Sequence, residues 1–234
     1  MTVPALPCPQ DGMVIDPFGL GVAPAEAPSA ADAGRDGLYL RRIKPFLDKT
    51  IAALALIALS PLLIATAIAL LIALGRPVLF RQERIGRGGQ VFTMMKFRTM
   101  RPERRHENRA VVMDRRYRYH KNAFDPRHTP LGLILRRLSL DELPQFINVL
   151  RGEMSLIGPR PELTPIVAAY LPWQHERHCV SPGLTGLWQL SARDQGHMDD
   201  YVGLDITYAR SVSFKTDLSI AWRTLPALLR RVGR

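Results

Sequence analysis

Hydrophobic and polar positions change their spacing several times along this chain. Residues 1 to about 36 are rich in Ala, Pro and Gly, carry few large apolar side chains and show no periodicity. That composition predicts a disordered or loosely attached tail. Residues 51–74 then form one apolar run without a charge. At about 1.5 Å rise per residue, the run is long enough to cross a hydrocarbon core as a helix. Ser60-Pro61 interrupts it in the middle. Proline removes an N–H and clashes with the preceding turn, so the helix is expected to bend there. The serine hydroxyl can satisfy a carbonyl released by the bend. Beyond the run, residues 77–83 and 90–97 are two apolar stretches around Gly86-Arg-Gly-Gly89, the pattern of a β-hairpin. A phosphate-cradling glycine loop is the alternative, but the residues match neither a P-loop nor a complete dinucleotide fingerprint. At the far end, Trp222, Leu225, Leu228 and Leu229 alternate with arginines around Pro226. This stretch reads either as a helix lying in a membrane interface, bent at the proline, or as one packed on the domain. No internal repeat is present. The pattern predicts an α+β, mainly helical protein: a tail (1–36), a membrane-inserted segment (37–75) and a C-terminal domain (76–234).

Charge changes the picture of the apolar run. The chain carries a formal net charge of +11 and a pI near 10.3, which favours polyanionic partners such as nucleic acid, anionic headgroups or nucleotide-sugars. Arg41, Arg42, Lys44 and Lys49 precede or enter the run, and Arg76, Arg81, Arg84 and Arg87 follow it. Basic residues beside membrane segments prefer the cytoplasmic side, so a simple span would place one cluster on the wrong face. A re-entrant hairpin keeps both clusters on one side. A span with a proline remains the competing reading, since bilayer helices tolerate proline. Eight basic residues between Arg101 and Lys121, with Tyr117 and Tyr119 among them, read equally as a solvated polar segment or as a surface for headgroups or nucleotide phosphates. No recognised nucleic-acid motif accompanies this charge, so nucleic acid is not expected as a partner. Asp11, Asp16, Glu26 and Asp32 and the lack of an early apolar core speak against a cleavable signal. Cys8 and Cys179 form no disulfide framework, which favours a reducing compartment.

The candidate chemistry centres on Asp141-Glu142 within Leu135-Arg-Arg-Leu-Ser-Leu-Asp-Glu-Leu-Pro-Gln145. Ser139-Leu-Asp-Glu142 also reads as a capping box, with Ser139 as N-cap and Glu142 at the third helical position. The two readings are compatible, because a helix N-terminus concentrates unpaired N–H groups where phosphate oxygens bind. A carboxylate kept ionised there suits a nucleophile. Arg136 and Arg137 precede the pair. Lys96 and Arg98 come from Lys96-Phe-Arg-Thr-Met100, and Arg160 lies between two prolines in Gly158-Pro-Arg-Pro-Glu162. Arginine forks match phosphate oxygens, so these cations and two carboxylates would make a phosphoryl-transfer site if the fold assembles them. His175, His178 and Cys179 lack the second cluster a zinc site needs. A membrane-tethered basic protein without catalytic activity, binding anionic lipid or nucleic acid, is the alternative from a different class.

Six ordered stretches carry a resemblance: Phe80-Arg-Gln-Glu-Arg-Ile-Gly86, Lys96-Phe-Arg-Thr-Met100, Asp125-Pro-Arg-His-Thr129, the Asp-Glu stretch, Asn148-Val-Leu-Arg-Gly-Glu-Met-Ser-Leu-Ile-Gly-Pro-Arg-Pro-Glu162 and Ser181-Pro-Gly-Leu-Thr-Gly-Leu-Trp-Gln189. From about Arg41 onward the chain resembles the bacterial sugar transferases, the monotopic phosphoglycosyl transferases that start exopolysaccharide, capsule or O-antigen synthesis. The resemblance implies an inner-membrane protein with a re-entrant helix broken at Ser60-Pro61 and a catalytic domain on the cytoplasmic face. It implies that Asp141 attacks the β-phosphate of a UDP-sugar, that UMP leaves, and that undecaprenyl phosphate takes the sugar-phosphate from the aspartate. It implies Glu142 as the Mg²⁺ ligand, Lys96, Arg136 and Arg160 around the phosphates, and Arg98, Asp125, Gln189 and Arg193 on the substrate. Membrane lipid is an expected partner, and a homodimer is compatible with the reading. Two departures stand out. Lys44-Pro45 replaces the family's Lys-Arg, with Pro45 suited to a helix's first turn. Ala192 replaces the glycine that usually precedes the arginine, here Arg193, which puts that arginine's role and sugar selection in question.

Overall fold

The computed structural model describes residues 37–101, 127–191 and 198–232, with the side chains of 189, 191, 198–201 and 225–232 left aside. The expected tail, the arginine-rich segment up to Lys121, Asp125, Ala192 and Arg193 lie outside the described residues. The described chain is mostly helical, as the pattern predicts. A π-helical turn, Tyr39–Ile43, leads into helix α1 (Lys44–Ala58), and α2 (Ser60–Leu74) follows. Pro45 occupies the first turn of α1. A proline at this point clashes with the carbonyl four residues back, and the wider π turn gives that carbonyl room.

The break falls where Ser60-Pro61 places it. The two helical segments, Tyr39–Ala58 and Ser60–Leu74, are bent by 63°, and the Ser60 hydroxyl donates to the Ile57 carbonyl at 2.8 Å. No single described helix is long and apolar enough to cross a membrane; the bent pair meets that test only together. Two of its residues, Ala52 and Leu70, are fully buried against the rest of the protein, while Ile57 is 72% and Ile72 81% exposed. Ile51, Leu54, Ile64 and Ile68 add to this open apolar surface.

After α2, strands β1 (Leu79–Ile85) and β2 (Val91–Phe97) form the expected antiparallel hairpin, with Phe80 opposite Lys96 and Ile85 opposite Val91. Its turn, Arg87–Gly89, carries positive φ at Gly88 and Gly89, which glycine adopts without steric cost. Helices α3 (Pro130–Arg137) and α4 (Gln145–Leu150) pack beside the hairpin. A second, parallel pairing was not foreseen: β3 (Ser155–Ile157) runs beside β4 (Gly183–Thr185). Here the backbones nearly touch. A Cβ on Gly183 would lie 2.1 Å from the Gly158 nitrogen, and one on Gly158 would lie 2.4 Å from the Ser181 carbonyl oxygen, so only glycine fits at either point. A short helix α5 (Thr164–Val167), a 3₁₀ segment (Pro172–Cys179) and helices α6 (Leu187–Ser191), α7 (Met198–Arg210) and α8 (Phe214–Val232) complete the domain. Helix α8 runs through Pro226 to Val232 as one element.

A buried polar hub ties the helical hairpin to the domain. Asp217 of α8 accepts from the Tyr39 hydroxyl and the Lys44 ammonium, both at 2.6 Å, and its other oxygen lies 2.7 Å from the Tyr208 hydroxyl. Asp48 of α1 accepts from the Ser155 hydroxyl at 2.6 Å. Charged groups this deep are stable only when paired and hydrogen-bonded. The hub therefore fixes how α1 leaves the domain. The hydrophobic cluster around Tyr39, Ile157, Trp188, Tyr208 and Ile220 surrounds it.

Candidate active site

The acidic pair sits on a single 3₁₀ turn, Leu140–Glu142, between α3 and α4. The expected capping box does not form: Ser139 makes no side-chain cap bond and takes a left-handed conformation, φ 58°. A non-glycine residue in this region costs energy and persists only where its surroundings hold it. The left-handed residue turns the chain sharply after α3, so Asp141 goes inward, only 9% exposed, instead of standing at an open helix end.

Three motifs converge on this turn. Thr129 caps α3 by accepting from the Gly132 amide at 3.0 Å, and its hydroxyl lies 3.1 Å from the Thr99 carbonyl oxygen. A Cβ on Gly132 would fall 1.9 Å from that same oxygen, so the glycine lets α3 close onto the end of the Lys96-Phe-Arg-Thr-Met100 stretch. Asn148 of α4 is fully buried and acts as an extra strand edge for β2. It accepts from the Met95 amide at 3.0 Å and donates to the Thr93 carbonyl at 2.7 Å and to Glu153 at 2.6 Å. Helices α3 and α4 are thus clamped to β2 on both sides of the acidic turn, and Lys96 is brought to it.

The Lys96 ammonium donates to Glu142 Oε1 at 3.2 Å. Asp141 is pushed up to about 6, first by burial and then by Glu142, with Lys96 and Arg136 opposing. At pH 7 such a group is still about nine-tenths ionised. Its ionisation is sustained against burial by two cations, with its own backbone amide adding to them. Lys96, Arg136, Asp141 and Glu142 therefore form one electrostatic unit. Arg136 also meets His128 Nε2 at 2.8 Å.

The other expected residues have different surroundings. Arg160 lies with its guanidinium carbon 4.5 Å from the centroid of the Trp188 ring, a cation–π contact. Arg98 donates to the carbonyls of Leu74 and Gly75, both at 2.7 Å, and so closes the C-terminus of α2. Gln189 lies in α6 beside Trp188. The sequence reading missed Asn148 as a clamp, although it stands in a quoted motif. It also missed Arg177 and Asp205, an ion pair buried at 3% and 2% exposure. The one available signal was an aspartate within the apolar pattern of α7, which is rare unless paired.

Among the described residues no cluster of three or more His, Cys, Asp or Glu side chains could hold a metal alone. Two adjacent carboxylates suit Mg²⁺ nonetheless, since that ion is commonly held by one or two carboxylates with phosphate and water completing its shell. The Glu142 side chain, 28% exposed, is the more accessible of the pair.

The family model described as bacterial sugar transferase matches residues 39–231. The exopolysaccharide production protein ExoY of Sinorhizobium fredii is 38% identical over 79% of this chain and 84% of its own length. The UDP-glucose:undecaprenyl-phosphate glucose-1-phosphate transferase of Caulobacter vibrioides is 40% identical over 80% of this chain and 69% of its own length. The undecaprenyl-phosphate galactose phosphotransferase of Salmonella typhimurium is 35% identical over 68% of this chain, a match spanning 35% of that longer protein. On the extent of these matches, the chain belongs to the bacterial sugar transferase family.

Proposed function

We propose that this protein transfers a sugar-1-phosphate from a UDP-sugar to undecaprenyl phosphate and releases UMP, as the first membrane step in making an exopolysaccharide, capsule or O-antigen. The observation that carries the reading is the buried, mostly ionised Asp141 with Lys96, Arg136 and Glu142 around it. A carboxylate stripped of water is a better nucleophile than a solvated one, and two cations beside it lower the repulsion of an incoming diphosphate. The names of the relatives support the acceptor and the reaction class.

In the first step an Asp141 oxygen bonds to the β-phosphorus of the donor. The bond from that phosphorus to the bridging oxygen breaks, and its electron pair leaves with UMP. In the second step an oxygen of undecaprenyl phosphate bonds to the same phosphorus, the bond to Asp141 breaks, and the carboxylate returns ionised. Both nucleophiles are already anions, so neither step needs a general base. Lys96, Arg136 and Arg160 would hold phosphate oxygens, and Asp125, Gln189 and Arg193 would lie against the donor. Glu142 would hold Mg²⁺, which when bound supplies charge neutralisation on the diphosphate.

The bent helix pair fits a re-entrant insertion from the cytoplasmic face of the inner membrane. Its open apolar surface and the basic residues at both ends support that placement. The donor then arrives from the cytosol and the acceptor from the bilayer. The test is nucleotide identity. Purified protein in nanodiscs with Mg²⁺, undecaprenyl phosphate and a panel of UDP-sugars should release UMP with at least one donor, and Asp141→Asn should not. Release of UDP would mean cleavage at the sugar carbon and would overturn the proposal.

A further inference from the structure

The Gly158-Pro-Arg-Pro-Glu162 loop is held by more than its prolines. Arg177 Nη2 donates to the Arg160 carbonyl at 2.7 Å, and the Arg160 amide faces the Asp205 carboxylate, where it favours the ionised form. Arg177 and Asp205 are themselves paired, and Arg177 Nη1 also meets the Tyr170 hydroxyl. The Arg160 backbone, at its carbonyl and its amide, is therefore met by one buried ion pair from two distant elements, the 3₁₀ segment and α7. Further along the loop, Arg84 donates to the Pro161 carbonyl at 3.0 Å, and the Ile85 amide to the Glu162 carbonyl at 2.9 Å.

Two features set this arrangement apart from ordinary packing. Arg177 is 3% exposed, yet its Nε has no hydrogen-bond partner among the described residues. A buried ion pair with an unsatisfied donor contributes little to stability compared with apolar residues of the same volume. Arg160, whose backbone the pair holds, presents a guanidinium that rests on Trp188 and meets no carboxylate among the described residues. A fixed backbone and one stacking face leave the remaining edges of that fork to a ligand, and arginine forks select phosphate oxygens.

We propose that Arg177 and Asp205 are positioning residues: their ion pair holds the Arg160 peptide so that the Arg160 guanidinium, on Trp188, is aimed at the diphosphate of the nucleotide donor. This rests on the functional reading above, in which Arg160 binds that diphosphate. Neither Arg177 nor Asp205 touches the ligand, so each acts only through Arg160.

The experiment is a double-mutant cycle on the affinity for UDP with Mg²⁺, a probe that carries the diphosphate and is independent of the sugar. The proteins are full-length wild type, Arg160→Ala, Arg177→Lys, Asp205→Asn and the two doubles with Arg160→Ala, all in nanodiscs. Melting temperatures report the folded fraction, and Asp205→Asn is the milder variant should Arg177→Lys fold poorly. Arg160→Ala should raise the Kd for UDP about tenfold, the size of one charge-assisted interaction. Arg177→Lys or Asp205→Asn should raise it comparably alone and by less than about twofold in the Arg160→Ala background. A purely structural role would lower the melting temperature without this non-additivity. If the effect on Kd is the same in both backgrounds, or absent in both, the positioning role is overturned while the reading of Arg160 stands. If Arg160→Ala binds UDP as wild type does, or wild type does not bind it, the functional reading itself has failed.

Discussion

Replacing Asp141 with Asn is expected to stop turnover and, at the same time, to stabilise the protein. Asp141 is raised from 3.8 to about 6 in the folded protein, chiefly by burial. A folded-state value above the unfolded one means that ionisation disfavours the fold. The cost is absent below the unfolded value, grows as pH rises through the window from 3.8 to about 6, and is complete above it. About two units correspond to about 3 kcal/mol. With the residue only 9% exposed, solvent screens little of it. Asparagine is neutral at every pH and avoids the cost, and its amide can donate to neighbouring Glu142. For a chain of this size, about 3 kcal/mol amounts to about 6 to 12 °C in melting temperature. Thermal unfolding of ligand-free protein in detergent with EDTA should therefore show Asp141→Asn melting well above wild type at pH 7.5, with the gap reduced to about a third at pH 4.5. A variant that melts at or below wild type at pH 7.5, or a gap that does not change with pH, would refute the reasoning. The nucleophile would then not be held in a desolvated, strained state.

Other expectations follow from single contacts. Ser60→Ala with Pro61→Ala removes the bend and its carbonyl partner, so tags at residue 37 and after residue 75 should move to opposite sides of the membrane; wild-type tags already on opposite sides would exclude the re-entrant reading. Asn148→Ala deletes three hydrogen bonds and strands an amide and a carbonyl of β2. It should cost about 2 to 4 kcal/mol in denaturant unfolding, and a loss under about 1 kcal/mol would show that the clamp is weak. Glu142→Gln should raise the Mg²⁺ concentration needed for half-maximal UMP release by about tenfold or more, and an unchanged Mg²⁺ dependence would remove Glu142 from the metal site.

What could be read in advance was local. The Ser60-Pro61 bend, the serine's carbonyl bond, the hairpin around Gly86-Arg-Gly-Gly89 and Pro45 in a first helical turn each depend on neighbours within a few residues, and each is found. The capping box was also a local inference, and it failed because tertiary packing holds Ser139 in a left-handed conformation that no four-residue pattern reveals. The contacts that assemble the site are long-range. Lys44 and Asp217 lie 173 positions apart, and Arg177 and Asp205 28 apart, with nothing in their spacing to pair them. Arg98 shows a further reason: nothing in the sequence around it marks that it closes the end of α2. Gly158 and Gly183 were visible as motif glycines, yet their reason, two backbones in contact, exists only in the fold.

The central claim is a covalent phosphosugar on Asp141, and the most direct measurement leaves out the acceptor. Protein in nanodiscs, free of undecaprenyl phosphate, would be mixed with Mg²⁺ and a competent UDP-sugar, and both released UMP and intact protein mass would be recorded. The account predicts a burst of about one UMP per protein, a mass increase equal to one sugar-phosphate, and neither in Asp141→Asn. UMP release that begins only when the acceptor is added, with no change in protein mass, would contradict it and point to direct transfer between the two substrates.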